Sequence, residues 1–264
     1  MAKRRVDTLL VERGLFESRS RAAAGVMAGE VSVGAHGRRV DKPGQLVADD
    51  APLVVAERPR FVSRGGIKLA NALDAFGIDP AGRRCLDVGA STGGFSDCLL
   101  QRGAAAAIAL DVAYGELHLR VRDDPRVTVV ERTNARELAP GRLPFAPDLV
   151  VVDVSFISLR KVLGPVLACA ADRFDCLALV KPQFEVGREL VGRGGVVRAA
   201  ADRRAALVAV GAHACDDLGA ALLGYASSGL RGPAGNRESF AWLAEAGRTG
   251  AVQDLEAAAR TVEP

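Results

Sequence analysis

The chain is poor in the residues that build metal centres, covalent scaffolds and membrane spans. Its 264 residues include only three histidines and five cysteines. Cys85, Cys98, Cys169, Cys176 and Cys215 are scattered, with no Cys-x-x-Cys pair and no histidine at ligand spacing, which argues against zinc. Their odd number argues against a disulfide framework, so they are expected as reduced core residues of a cytoplasmic protein. His36, His118 and His213 form no cluster and read as structural or surface side chains. No window approaches the ~20 apolar residues of a membrane span. The opening Met1-Ala2-Lys3-Arg4-Arg5-Val6-Asp7 has no apolar stretch behind its charges, so it does not read as a secretory signal. Internal repeats are missing too. The expectation is a soluble protein with neither a metal nor a membrane partner.

What is present is an ordinary globular composition, 49% hydrophobic and 25% charged. The net charge of +3 identifies no partner by itself, but its distribution is uneven. Residues 1–62 hold eleven Lys and Arg against eight Asp and Glu, which accounts for the whole excess. A local basic excess points weakly to a polyanion, and equally to a solvated surface.

Two regions differ in pattern. Val6, Leu9 and Leu10 have helical spacing and stop at Arg13-Gly14; Ser18 can cap a second helix through Arg19, Arg21, Ala22, Val26 and Met27, ending near Gly29. Short alternating pieces follow at 31–33, 46–47 and 52–55, separated by Gly34, Gly37, Pro43 and Gly44. This predicts a small α+β domain over 1–58 and, around Arg58-Pro59-Arg60, a linker reaching residue 63. Beyond it, a helix over 64–76 precedes alternating apolar strands and helical segments over 64–264. The strands are expected at 85–88, 107–112, 127–131, 149–153, 177–180, 221–225 and 240–243. Runs such as Leu149-Val150-Val151-Val152 lack polar alternation, as in parallel strands covered on both faces. The fold class predicted is α/β, a doubly wound, mostly parallel sheet. The stretch from Gly247 onward reads as a terminal helix or a loose tail.

The sharpest local feature is Asp87-Val88-Gly89-Ala90-Ser91-Thr92-Gly93-Gly94-Phe95, directly after the first strand of that sheet. Small residues let backbone approach a ligand closely, and Gly93-Gly94 opens a helix N-terminus. Alone, such a turn fits any nucleotide or dinucleotide fold. Without a Gly-Lys-Ser/Thr ending it does not fit most nucleoside triphosphatases. Asp111 ends the next strand, followed by Val112, and an acid there can accept hydrogen bonds from both ribose hydroxyls of an adenosine cofactor. Asn134-Ala135, after the third strand, stands where an adenine partner is expected. Asp153 and Lys181 close two further strands, and in an open parallel sheet strand C-termini line the ligand crevice. They should therefore face each other. Glu238 begins the last strand, and Lys68 lies on the helix before the sheet. Taken singly, each of these is more often a solvent-exposed side chain.

Lys68, Asp153, Lys181 and Glu238 match, in order and context, the Lys-Asp-Lys-Glu tetrad of FtsJ-like ribose 2'-O-methyltransferases. Ser63-Arg64-Gly65-Gly66-x-Lys68-Leu69, the stretch from Asp87 to Phe95, Glu131-Arg132-Thr133-Asn134-Ala135-Arg136, Asp153-x-Ser155-Phe156-Ile157-Ser158-Leu159 and Lys181-Pro182-Gln183-Phe184-Glu185-Val186-Gly187 resemble the TlyA (hemolysin A) family. The N-terminal part is similar to the RNA-binding domain named after ribosomal protein S-four, in Ser18-Arg19-x-Arg21-Ala22 and Gly29-Glu30-Val31. The likeness runs from about residue 4 to residue 245. One departure is Phe61, where close relatives are expected to carry Trp.

The resemblance implies a Rossmann-like class I methyltransferase with a seven-stranded sheet, S-adenosyl-L-methionine as cofactor, and methyl transfer to a ribose 2'-oxygen of cytidine in ribosomal RNA. It implies cofactor contacts at Asp87, Gly89, Ala90, Ser91, Gly93, Gly94, Phe95, Asp111, Val112, Asn134, Ala135 and Asp153. Lys181 becomes the central catalytic group, taking the hydroxyl proton or steadying the developing alkoxide. Lys68 nearby disfavours its ammonium form, and Asp153 and Glu238 favour it. Arg4, Arg5, Arg19, Arg21 and Arg64 suit contacts to RNA phosphates, which position RNA without reading its sequence. Arg188, Arg193 and Arg198 fit an RNA-facing loop or a plain surface loop. Other classes are a membrane-active hemolysin, a non-catalytic RNA-binding protein and a pseudouridine synthase. No amphipathic or spanning segment supports the first, the glycine loop and tetrad speak against the second, and the catalytic Asp motif of the third is not found.

Overall fold

The computed structural model describes residues 2–34, 37–56 and 59–263; His36 and Arg58, read above as a structural or surface residue and as part of the linker, lie outside them. The chain divides into two compact units, Met1–Pro59 and Arg60–Pro264.

In the first unit β1 (Lys3–Arg5) leads into α1 (Val6–Glu12) and α2 (Arg19–Met27), followed by β2 (Val31–Val33), β3 (Arg38–Arg39), β4 (Leu46–Ala48) and β5 (Leu53–Val55). Ser18 caps α2, its Oγ accepting the Arg21 N–H at 3.3 Å. The apolar faces of both helices bury Val6, Leu9, Leu10, Ala22 and Val26 against Val31, Val33, Val40 and Val47. β1 pairs antiparallel with β4, and β2 lies between β3 and β5. β1 and β3 were not foreseen, since Lys3-Arg4-Arg5 and Arg38-Arg39 offer no apolar alternation to read.

The second unit opens with α3 (Arg64–Phe76), capped by Ser63 and ended by Gly77 in the left-handed conformation. Then follow β6 (Arg84–Val88), α4 (Gly94–Gln101), β7 (Ala106–Leu110), α5 (Leu119–Arg122), β8 (Val127–Val130), β9 (Leu149–Val152), α6 (Leu163–Leu167), β10 (Asp175–Val180), α7 (Pro182–Glu185), α8 (Ala200–Ala212), β11 (Ala221–Arg231), β12 (Arg237–Ala244) and α9 (Leu255–Val262). The seven strands form one sheet in the order β11-β12-β10-β9-β6-β7-β8. β12 alone runs against the others. This is the predicted α/β class, a Rossmann-like, mostly parallel sheet.

Strand periodicity sends alternate side chains to opposite faces, and both faces are covered. Leu86, Val88, Val150, Val152, Ala178 and Val180 pack with Leu163, Val166, Leu207 and Val210 on one side. Cys85, Leu149, Val151, Leu177 and Leu179 pack with Leu69, Leu73, Phe95 and Leu99 on the other. Each buried Leu or Val contributes roughly 1.5–3 kcal/mol, which is why these strands are apolar in their interiors apart from Asp87 of β6. Neighbours of β6 are reached in opposite directions, β7 on one side and β9 on the other, so the crevice at their carboxyl ends is the switch point where such sheets bind ligands.

Some boundaries differ from the expectation. β7 stops at Leu110 and β9 at Val152, which leaves Asp111 and Asp153 just beyond the ladder. β11 extends to Arg231, because Ser227 pairs with Ser239 and, after an irregularity, Arg231 pairs with Arg237. The C-terminal stretch is a helix, α9, capped by Asp254 and held by a Glu263–Arg203 ion pair at 2.7 Å. The segment with Arg188, Arg193 and Arg198 is braced by Asn236, which accepts the Val197 N–H at 2.9 Å and donates to the Gly195 carbonyl at 2.7 Å. All five cysteines are free, four buried and Cys215 half-buried. His118 caps α5, and His213 pairs with Asp217 at 2.7 Å. Among the described residues no helix is long and apolar enough to cross a membrane, and no group of three or more His, Cys, Asp or Glu is placed to hold a metal ion.

Candidate functional site

The loop after β6 is shaped by positive φ angles. Gly89 sits at φ +84°, and a Cβ there would run into the Asp153 carbonyl. Ser91 has φ +47°, costly for a residue with a side chain. It is held there by its own N–H, donated to Asp111 Oδ2 at 2.7 Å, and by its hydroxyl, donated to Glu116 at 3.1 Å. Asp111 Oδ1 accepts the Ala113 N–H at 2.8 Å, so one carboxylate links two loops. Gly93, at φ +88°, turns the chain into α4 and packs against Leu117 and Val121.

Beneath this loop Asp87 is fully buried. Its Oδ2 accepts both the N–H and the hydroxyl of Ser96, at 2.8 and 2.7 Å, whereas Oδ1 is buried without a partner. Burial pushes the Asp87 carboxyl up to about 7, against the pull of the Ser96 bonds.

Two cavities adjoin across the loop, of about 400 and 370 Å³. Gly89, Ser91 and Asp153 line both. Asp87, Ala90, Gly94 and Phe95 line the first, together with Arg64 and Lys68. Asp111, Val112, Asn134 and Ala135 line the second. Gly93 lines neither and acts through the turn it makes. Asn134 is partly engaged, its Oδ1 accepting the Arg136 N–H at 3.1 Å.

The four tetrad residues form two ion pairs. Lys68 on α3 meets Glu238, the second residue of β12, at 2.5 Å, and both are buried. Lys181, just after β10, meets Asp153 Oδ1 at 2.6 Å and donates to Ser155 Oγ at 2.8 Å. Lys68 and Asp153 line the first cavity, with Glu238 and Lys181 bonded to them. Each lysine is thus matched with its own carboxylate.

Several neighbours were not anticipated. Glu185 on α7 is buried and accepts the Ser158 hydroxyl at 2.6 Å and the Leu159 N–H at 2.7 Å, fastening the loop after β9 to the one after β10. Phe156, two residues before Ser158, is 92% exposed at φ +63°, with its ring 5.4 Å from that of Phe184. It lines the second cavity. Arg231, the last residue of β11, and Pro233, in the β11–β12 turn, line the first. Glu185 and Phe156 lie in runs already singled out, but no spacing rule reaches Arg231. In the first unit Arg5 forks onto buried Asp7 at 3.0 and 2.7 Å and Arg19 reaches it at 3.3 Å, which lowers the Asp7 carboxyl to about 2. Arg4 pairs with Glu12 and Asp49. Of these four arginines only Arg21 makes no ion pair among the described residues.

Comparison with known proteins adds an independent line. A curated relative, the 16S/23S rRNA (cytidine-2'-O)-methyltransferase TlyA of Mycobacterium tuberculosis, is 51% identical over 92% of this chain and 91% of its own length. Hemolysin A of Brachyspira hyodysenteriae is 38% identical over 74% of this chain and 80% of its own. A solved structure of a candidate hemolysin from Streptococcus thermophilus superposes with a TM-score of 0.72 at 38% identity, covering 99% of this chain and 96% of that one. Residues 61–244 match the model of a family described as FtsJ-like methyltransferase. That span includes β6 to β12 and both cavities, and the chain belongs to the FtsJ-like methyltransferase family.

Proposed function

We propose that this protein methylates the ribose 2'-hydroxyl of cytidine in ribosomal RNA, using S-adenosyl-L-methionine. The single observation that carries the reading is the pair of adjoining cavities that share Gly89, Ser91 and Asp153, with a lysine–carboxylate pair on each side of the first. The residues present fit the cofactor. Asp87 keeps one carboxylate oxygen without a partner, suited to an α-ammonium group. Asp111 has lone pairs left for ribose hydroxyls, and Val112, Ala135 and Ile157 supply apolar contact for an adenine. The cofactor, when bound, supplies an electrophilic methyl group on a sulfonium.

The chain's own residues do the rest. Asp153 and Ser155 hold Lys181 Nζ beside the first cavity, where it takes the proton of the attacking hydroxyl or steadies the developing alkoxide. Glu238 fixes Lys68, which orients the ribose. The exposed ring of Phe156 offers a stacking face for an unstacked base. Residues 1–58 serve as an RNA-binding domain of the ribosomal-protein-S-four type and 59–63 as the linker to the methyltransferase domain over 64–264. Arg4, Arg5, Arg19, Arg21 and Arg64 contact RNA phosphates. The working compartment is the cytoplasm, where ribosomal subunits are the partners.

The test is incubation with purified small and large ribosomal subunits and labelled cofactor, mapped by primer extension. Wild-type protein should place one label per modified cytidine. Lys181→Ala should lower turnover by about 10²–10⁴-fold and leave cofactor affinity within twofold. Full activity of that variant refutes the assignment of Lys181.

A further inference from the structure

Five charged side chains line the first cavity, Arg64, Lys68, Asp87, Asp153 and Arg231. Three are balanced locally. Lys68 is neutralised by Glu238 at 2.5 Å and Asp153 by Lys181 at 2.6 Å. Asp87, fully buried, is held largely protonated below about 7. The two arginines are not balanced. Arg64 donates to the Arg231 carbonyl at 2.8 Å and Arg231 to the Gly235 carbonyl at 3.3 Å. Neither is in ion-pair distance of a carboxylate among the described residues. Both are exposed. Backbone carbonyls therefore orient two guanidiniums at one wall of the cavity without cancelling their charge.

Such a wall calls for an anion. S-adenosyl-L-methionine carries a net positive charge and would raise the local excess. In RNA the 3'-phosphodiester lies one carbon–carbon bond away from the 2'-oxygen along the ribose ring, so a cavity that receives the 2'-hydroxyl must also take in that phosphate. Guanidinium forks match phosphate oxygens in two-point geometry. We propose that Arg231, together with Arg64, forms a phosphodiester subsite for the linkage 3' to the methylated ribose. The subsite rests on the methyltransferase reading given above. Arg231 then seats the target nucleotide by the charge nearest its reacting oxygen, and the end of β11 that carries it is part of the substrate site.

The test uses the full chain, wild type and Arg231→Ala, with purified ribosomal subunits over a range of salt concentrations and with cofactor binding measured by calorimetry. Expected for Arg231→Ala are a KM for the RNA raised about 10-fold and a plot of log affinity against log salt shallower by about 0.7–1. Cofactor affinity should stay within twofold, and Arg231→Lys should recover part of the loss. If Arg231→Ala proves unstable, Arg231→Gln keeps a donor for the Gly235 carbonyl and gives the same readout. An unchanged RNA KM and salt slope overturn the subsite. Weakening of cofactor binding by the same factor also overturns it, by giving the guanidiniums to the cofactor's carboxylate. Wild-type protein that methylates neither subunit refutes the underlying reading, whereas an active wild type with an unchanged variant refutes the subsite alone.

Discussion

Asp87 makes the electrostatics of the site measurable. It is enclosed at the end of β6 with one oxygen satisfied twice by Ser96 and the other without a partner. Burial raises its carboxyl from 3.8 to about 7, and Asp153 and Asp111 add repulsion. The folded-state value lies above the unfolded one, so the folded protein binds this proton more tightly. The stability linked to it is complete below about pH 4 and is lost as pH rises through about 7. At about 1.36 kcal/mol per pH unit the whole loss is about 4 kcal/mol, of which roughly 2–3 falls between pH 5 and pH 8. Against a typical total of about 5–15 kcal/mol that is readily seen. Asp87→Asn removes the titration and keeps an acceptor for Ser96. Urea unfolding of both proteins from pH 5 to pH 8 should show the wild type losing roughly 2–3 kcal/mol more than the variant. All other titrating groups are common to the two. Parallel stability curves would mean that Asp87 is ionised in the folded protein, and the argument from burial would be wrong.

Two further predictions concern the loops. Glu185→Ala strands the Ser158 hydroxyl and the Leu159 N–H, at a cost of about 1–3 kcal/mol. It should lower single-turnover methylation by folded protein, while Glu185→Gln, which can satisfy both groups, should restore it; full turnover by the alanine variant would free the Phe156 loop from this fastening. Gly89→Ala combines a strained φ of +84° with a Cβ driven into the Asp153 carbonyl. It should destabilise by about 1–3 kcal/mol and weaken cofactor binding in calorimetry at least 10-fold, and unimpaired binding would show that the loop can shift.

What could be read from sequence follows from burial. β6, β7, β9 and β10 are covered on both faces, so their apolar runs stand out, and α3 is marked by Ser63 before it and Gly77 after it. β11 is longer than its apolar start because Ser227 and Arg231 keep pairing with β12 without a hydrophobic signature. The ends of β7 and β9 fall short by a residue or two, since the last hydrogen bond depends on the neighbouring strand and not on the residue type. Motif order drew attention to Lys68, Asp153, Lys181 and Glu238 as a group. How they pair is a tertiary fact, with 170 positions between Lys68 and its carboxylate. Arg5 and Arg19 looked like free cations for the same reason, because their meeting at Asp7 needs the first unit folded. Arg231 ends β11 outside any motif, and only the shape of the cavity brings it forward.

The reversed strand β12 changes which end of a strand can serve the crevice. Six strands deliver their residues there on leaving the sheet, whereas β12 does so on entering it. Had it run parallel to its neighbours, Glu238 would lie at the opposite rim, roughly 20 Å away for a strand of this length. A single hairpin bend between Arg231 and Glu238 therefore sets two charged residues, seven positions apart, on the same rim. The pairing of Arg231 with Arg237 closes that bend, so a change of its length that breaks the pair would separate the Arg231 side chain from the rim that Glu238 occupies.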